Sequence, residues 1–94
     1  MAITRINEFH AAAGKQGALR EFLRSVIATI KGSAGCHGVE LFIDHDDDTR
    51  LVIVESWESV AAHQAAATRI PPTKLAEVQP LLAEPPRGRY YDSA

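Results

Sequence analysis

The run Leu51-Val52-Ile53-Val54 constrains this chain more than any other feature. Within Leu51–Glu58, strand periodicity puts Leu51, Ile53, Glu55 and Trp57 on one side and Val52 and Val54 on the other. A strand apolar on both sides has to be covered on both sides. Just before it, Val39–His45 alternates Val39, Leu41 and Ile43 against Glu40, Phe42 and Asp44. The acidic link Asp46-Asp47-Asp48-Thr49-Arg50 joins the two as an antiparallel hairpin.

The rest of the chain supplies partners for that hairpin. Residues 2–10 read as a strand with Ile3, Arg5, Asn7 and Phe9 on one face and Thr4, Ile6 and Glu8 on the other. From Gln16 to Lys31, Leu19, Phe22, Leu23, Val26, Ile27 and Ile30 fall at the spacing of an amphipathic helix. Lys31 followed by Gly32 predicts its stop, with the glycine at positive φ. Ser59 is placed to cap a second helix running to about Arg69, which Pro71-Pro72 closes. A short helix over Thr73–Gln79 follows, ended or kinked by Pro80. Arg87–Asp92 is the last strand, with Tyr90 and Tyr91 on opposite faces.

The order βαββαβ predicts an α+β, ferredoxin-like fold, a four-stranded antiparallel sheet with helices on one face. Ile6, Val52, Val54 and Phe42 then sit on the other face with no chain left to cover them. Leaving four such side chains exposed forfeits roughly 6–12 kcal/mol. A homodimer through that face, two-fold in symmetry, is therefore expected.

Composition narrows the function. At 94 residues the chain is expected to form one domain, 1–94, and its 46% apolar and 23% charged content exclude a disordered chain. Ten Lys+Arg against twelve Asp+Glu leave no cationic surface for nucleic acid or a membrane. Four consecutive aliphatic residues fall far short of a spanning helix, and the charged N-terminus does not read as a secretion leader. The single Cys36 fits a reducing, cytoplasmic setting.

The candidate site lies on the helix-facing side of the sheet. Arg5, Asn7, Glu55 and Trp57 share that side with Ile3, Phe9, Leu51 and Ile53. Val60, His63, Ala67 and Ile70 fall on one helical line that turns His63 inward toward Trp57. Two readings follow. In one, Trp57 walls a pocket, Asn7 hydrogen-bonds a ligand and His63 is a titratable base. In the other, Trp57 anchors a core, His63 is a satisfied packing residue and Asn7 caps a strand end. Glu55 is expected to pair with Arg5 across the sheet, or else to act as a base itself. Phe9 and Tyr90 border or plug the pocket.

Other constellations carry less. Asp44, Asp46, Asp48 and Glu55 occupy four positions of a calcium-loop pattern, but Thr49 replaces its glycine, so a solvated hairpin tip is expected and no metal. Cys36 and His37 are adjacent in an extended segment and point apart. Gly32, Gly35 and Gly38 are followed by no lysine and no helix start, so they make no phosphate loop.

Several stretches together carry a family likeness. They are Gly14-Lys15 before the first helix, Gly35-Cys36-His37-Gly38 before the second strand, and Glu55-Ser56-Trp57-Glu58-Ser59 with Ala62 and His63 following. Leu81-Leu82-Ala83-Glu84-Pro85-Pro86 to Tyr90-Tyr91 extends it to the C-terminus. The chain resembles the antibiotic biosynthesis monooxygenase (ABM) family of dimeric α+β barrels. That resemblance implies oxygenation of a quinol or polyphenolic aromatic by O2, with no cofactor. It places Asn7 on a substrate oxygen and Trp57 against the aromatic ring; His63 is the candidate base, with Arg5, Phe9, Ile53, Glu55 and Tyr90 lining the substrate. Ile53 stands where some such monooxygenases carry a pocket asparagine, four residues before the tryptophan. Haem-degrading relatives combine an Asn, a Trp and a later helix histidine, which makes haem binding the second enzymatic reading. A non-catalytic small-molecule-binding protein on the same fold is the third.

Overall fold

The structure, a computed structural model, describes residues 2–94. The strands are β1 (Ile3–His10), β2 (Cys36–Ile43), β3 (Arg50–Trp57) and β4 (Arg87–Tyr91). The helices are α1 (Gln16–Ile30), α2 (Val60–Ala67) and α3 (Pro72–Ala76), followed by a 3-10 turn at Gln79–Leu81. The strands pair antiparallel in the order β2-β3-β1-β4, giving the expected α+β, ferredoxin-like arrangement as an open sheet. No helix among the described residues is long and apolar enough to cross a membrane.

The doubly apolar β3 lies in the interior of the sheet, as its composition demands. Its register sets Arg5 opposite Glu55, Asn7 opposite Ile53 and Ile3 opposite Trp57. On β4, Tyr90 lies opposite Arg5 and Tyr91 opposite Thr4, which puts the two tyrosines on opposite faces. Two apolar clusters tie the helices to the sheet. One joins Leu19 and Leu23 of α1 to Phe9, Leu51, Ile53 and Val78. The other joins Ile30 and Ala66 to Trp57, with Ile3, Val39 and Ile70 packed against it. On the far face Ile6, Val52 and Val54 are half-buried and Phe42 is 48% exposed.

Three local expectations change. Lys31, which caps α1, is right-handed, and the positive φ belongs to Gly14 (+75°) and Gly35 (+81°), not to Gly32. Gly35 needs its freedom twice over. Besides its φ, it accepts a hydrogen bond from Glu58 N–H at 2.7 Å and lies so close under α2 that a Cβ there would come within 2.7 Å of Ala62 Cβ. The second helix stops at Ala67, so Ile70 reaches the Trp57 cluster from beyond the helix end. The stretch after Pro71 divides into α3 and the 3-10 turn, because Pro80 lacks an N–H to continue an α-helix.

Ser59 caps α2 as expected, accepting from Ala62 N–H at 3.1 Å. The hairpin tip is held by its own carboxylates: Asp44 accepts from the N–H groups of Asp46 and Asp47, and Asp47 from both Thr49 donors. The two bonds from Thr49 hold the Asp47 carboxyl below the ordinary range. Replacing Gly35 by alanine is expected to destabilise the fold by about 1–3 kcal/mol, since the backbone strains and α2 has to move. Chemical denaturation of Gly35→Ala beside Gly32→Ala, which has open space at its Cβ, measures the difference.

Candidate functional site

The side chains that share the helix face at the Trp57 end of the sheet form a connected polar group. Trp57 is fully buried and its Nε1–H donates to Glu55 Oε1 at 2.8 Å. The two lie two residues apart on β3, so their side chains emerge on the same face and meet. Glu55 is only 4% exposed. Burial raises its carboxyl above the ordinary 4.5, and the Trp57 hydrogen bond and the Arg5 charge only partly oppose the rise.

His63 comes down from α2 onto this pair. Its ring meets the indole edge-on at 5.4 Å between centroids. Its Nε2 faces Glu55 Oε1 at 3.9 Å, and its Nδ1 is 2.6 Å from the Tyr90 hydroxyl. Burial, with the Arg5 charge adding to it, pushes the imidazole below its ordinary 6.5, so it is neutral at neutral pH. Tyr90 meets the His63 ring edge-on from β4, and the Arg5 guanidinium lies over the tyrosine ring at 4.7 Å.

Arg5 therefore does not pair with Glu55 as expected. Among the described residues it makes no ion pair, and its buried Nε has no hydrogen-bond partner. It runs across Gly88 instead, where a Cβ would collide with the guanidinium. The indole N–H has already taken the carboxylate oxygen that the arginine would have sought. Gly88 is a position beside this group that sequence reasoning missed; a glycine in a strand, marking close approach of another group, was its only trace.

The other expected site residues stand apart from this group. Asn7 shares the face but lies opposite Ile53 and Gly88, four residues from Ile3 and thus roughly 13 Å along the strand from Trp57's row. Among the described residues its amide makes no side-chain hydrogen bond. Phe9 and Ile53 are buried in the α1 cluster as core residues. The tryptophan-walled chamber is also corrected. Of two cavities, of about 440 and 400 Å³, one lies at the Phe9, His10 and Arg50 end of the sheet and one around Val54, Glu55 and Ser56, and neither is lined by Asn7, Trp57, His63 or Tyr90.

The family model described as antibiotic biosynthesis monooxygenase matches residues 2–69, which span β1 through α2 and include Arg5, Asn7, Glu55, Trp57 and His63. The chain belongs to this family. Among solved structures, the antibiotic biosynthesis monooxygenase fold described here is similar to that of Rv0793 from Mycobacterium tuberculosis, at 23% identity and a TM-score of 0.86, covering 100% of this chain and 96% of that one. It is similar to PA3566 from Pseudomonas aeruginosa at 26% identity and 0.83, covering 99% and 95%. SnoaB, a cofactor-independent oxygenase from Streptomyces nogalater, matches at 16% identity and 0.83, covering 98% and 92%. No curated protein matches the sequence.

In this family member the buried carboxylate leaves a measurable trace. A carboxyl whose folded pKa is raised supports the fold below its unfolded value and loses that support as pH rises through the folded value. Glu55→Gln keeps an acceptor for the indole N–H and removes the charge. Its stability is expected to gain on the parent's as pH rises above 4.5, and the gain to level off once Glu55 is ionised in the folded parent. Urea titrations of both proteins between pH 4 and 8 follow that difference.

Proposed function

We propose that this chain is a monooxygenase that oxygenates an electron-rich quinol or polyphenolic aromatic with O2. The observation that carries the reading is a neutral, half-buried imidazole backed by a carboxylate, beside a guanidinium that has no counter-ion among the described residues. Oxygenation of this kind starts when the substrate loses a phenolic proton, because the phenolate can pass one electron to O2. Recombination at a ring carbon gives a hydroperoxide, and loss of water leaves a carbonyl, so one oxygen atom enters the product and the other leaves as water. Such a course needs a base, a cation for the anionic oxygen and a hydrogen-bonding group for a second oxygen. His63 suits the first need, Arg5 the second and the uncommitted Asn7 amide the third.

Trp57 has a different part from the one expected, since its enclosed ring has no face for a substrate. It fixes Glu55 and, through its edge contact, the plane of His63. Substrate meets the group from the β4 side, where Tyr90 is half-buried and Gly88 adds no side chain of its own. SnoaB, which shares the fold, is a cofactor-independent oxygenase, in agreement with this reading. Haem does not fit as well, because both nitrogens of His63 already face partners.

A homodimer through the open sheet face belongs to the same proposal. Ile6, Val52, Val54 and the exposed Phe42 form one apolar surface there, and Glu8 stands opposite Arg87 at its margin. Light scattering is expected to give about twice 10.2 kDa at micromolar concentration, and Val54→Asp to give a monomer. A monomeric parent sinks this part.

Oxygen uptake with a quinol such as menadiol is the functional test. Uptake above the protein-free autoxidation rate is expected, and His63→Ala is expected to lower it about 100-fold or more. The rate falls only as pH drops below 6.5, because the base works neutral and His63, facing Glu55, Arg5, Tyr90 and Trp57, titrates below its ordinary value. Uptake no faster than autoxidation leaves the binding-protein reading in its place.

A further inference from the structure

The geometry points to Tyr90 as the group that takes the substrate's proton, handing its own hydroxyl proton to His63. This inference rests on the monooxygenase reading and deepens it. Three observations carry it. First, His63 Nδ1 is hydrogen-bonded to the Tyr90 hydroxyl at 2.6 Å, while its Nε2 faces the Glu55 carboxylate at 3.9 Å. A carboxylate on the Nε2 side selects the tautomer protonated there, which leaves Nδ1 as acceptor and makes the tyrosine the donor. Second, Tyr90 lies half-buried on the edge strand β4, whereas His63 comes from α2, with 15% of its side chain exposed. The Tyr90 hydroxyl ends the Glu55–His63–Tyr90 chain on the β4 side. Third, the Arg5 cation lies on the tyrosine ring, so a phenol that approaches the Tyr90 oxygen also approaches a positive charge.

The transfer balances without any further reactant. The substrate O–H proton moves to the Tyr90 oxygen as the Tyr90 proton moves to His63 Nδ1. Tyrosine ends neutral, His63 becomes an imidazolium facing the Glu55 carboxylate, and the substrate is left as a phenolate beside Arg5. In this arrangement Gly88 is a positioning residue, because only a glycine there lets Arg5 lie across the strand onto the Tyr90 ring.

Tyr90→Phe removes the hydroxyl and keeps the ring for Arg5 and His63. With menadiol at neutral pH its oxygen uptake is expected to fall about 100-fold with little change in KM, and to recover at alkaline pH where the quinol ionises unaided. An unchanged rate at neutral pH overturns the relay, since His63 would then be taking the proton directly. A second measurement needs no turnover. A nitrophenol, coloured only when ionised, is expected to bind the parent as phenolate at a pH where the free probe is protonated, and to bind Tyr90→Phe as the neutral phenol. Binding as phenolate to both proteins, as neutral phenol to the parent, or to neither protein, overturns the relay. If the parent ionises the nitrophenol through Tyr90 but consumes no oxygen with quinols, the relay stands and the monooxygenase reading fails.

Discussion

A single hydrogen bond, from the Trp57 indole to Glu55, sets the order of everything around it. A carboxylate that is 4% exposed among apolar side chains is a liability, and leaving it unpaired would cost several kcal/mol. The indole N–H is a neutral donor from the same strand, two residues on, and so requires no second element to find it. A hydrogen bond to a charged group contributes roughly 1.5–3 kcal/mol, less than full compensation for burial, which is why the Glu55 carboxyl stays raised. What remains of its acceptor capacity faces His63, and the orientation of that ring decides where the Tyr90 hydroxyl is bound. Removing the indole would therefore disturb four residues on three strands and a helix, although only one hydrogen bond is lost directly.

Most of the fold was legible because it depends on period alone. The both-sided apolarity of Leu51–Val54 placed β3 inside a sheet, and alternation along β1 put Arg5, Asn7 and Phe9 on the face that the structure shows. The helical line through Val60 brought His63 to Trp57 even though the helix ends before Ile70. The legible part of the site is thus which residues share a face. Who bonds to whom was not legible. Arg5 and Glu55 are opposite each other in register, so an ion pair was the natural expectation, yet a closer donor on Glu55's own strand won. Periodicity carries no information about such competition, because it is settled by side-chain reach and rotamer. The two glycines that matter, Gly35 and Gly88, were obscure for a related reason. Each is required by an atom distant in sequence, Ala62 in one case and the Arg5 guanidinium in the other.

The helix-facing side of the sheet divides into two halves with different work. Toward Leu51 it is filled by Phe9, Ile53, Leu19 and Leu23, a packed apolar layer of the kind that holds a small α+β fold together. Toward Trp57 the same strands carry Arg5 and Glu55, and β4 adds Tyr90. Ile53 is the pivot, because it is the last apolar residue on the helix-facing side of β3 before Glu55 and lies opposite Asn7. An asparagine at that position would extend the polar half into the core; isoleucine keeps the polar group compact and leaves Asn7 apart from it. Solved structures with the same fold at 14–26% identity show that the architecture survives wide change in sequence, so differences in chemistry have to come from side chains such as these.

Strand pleat also couples the two faces. Arg5 and Asn7 alternate along β1 with Thr4, Ile6 and Glu8, and Tyr90 follows Arg89 and precedes Tyr91 on β4. Because β4 has five residues and pairs only with β1, its position depends on that one ladder and on whatever packs against its two sides. A partner seated on the open face would press on Ile6, Arg89 and Tyr91, and through the backbone would fix the carriers of Arg5 and Tyr90. The Tyr90–His63 bond at 2.6 Å leaves little tolerance for a sliding edge strand. In the proposed dimer, covering the oily face and holding the proton relay in register are consequently one structural task, performed from opposite sides of the same two strands.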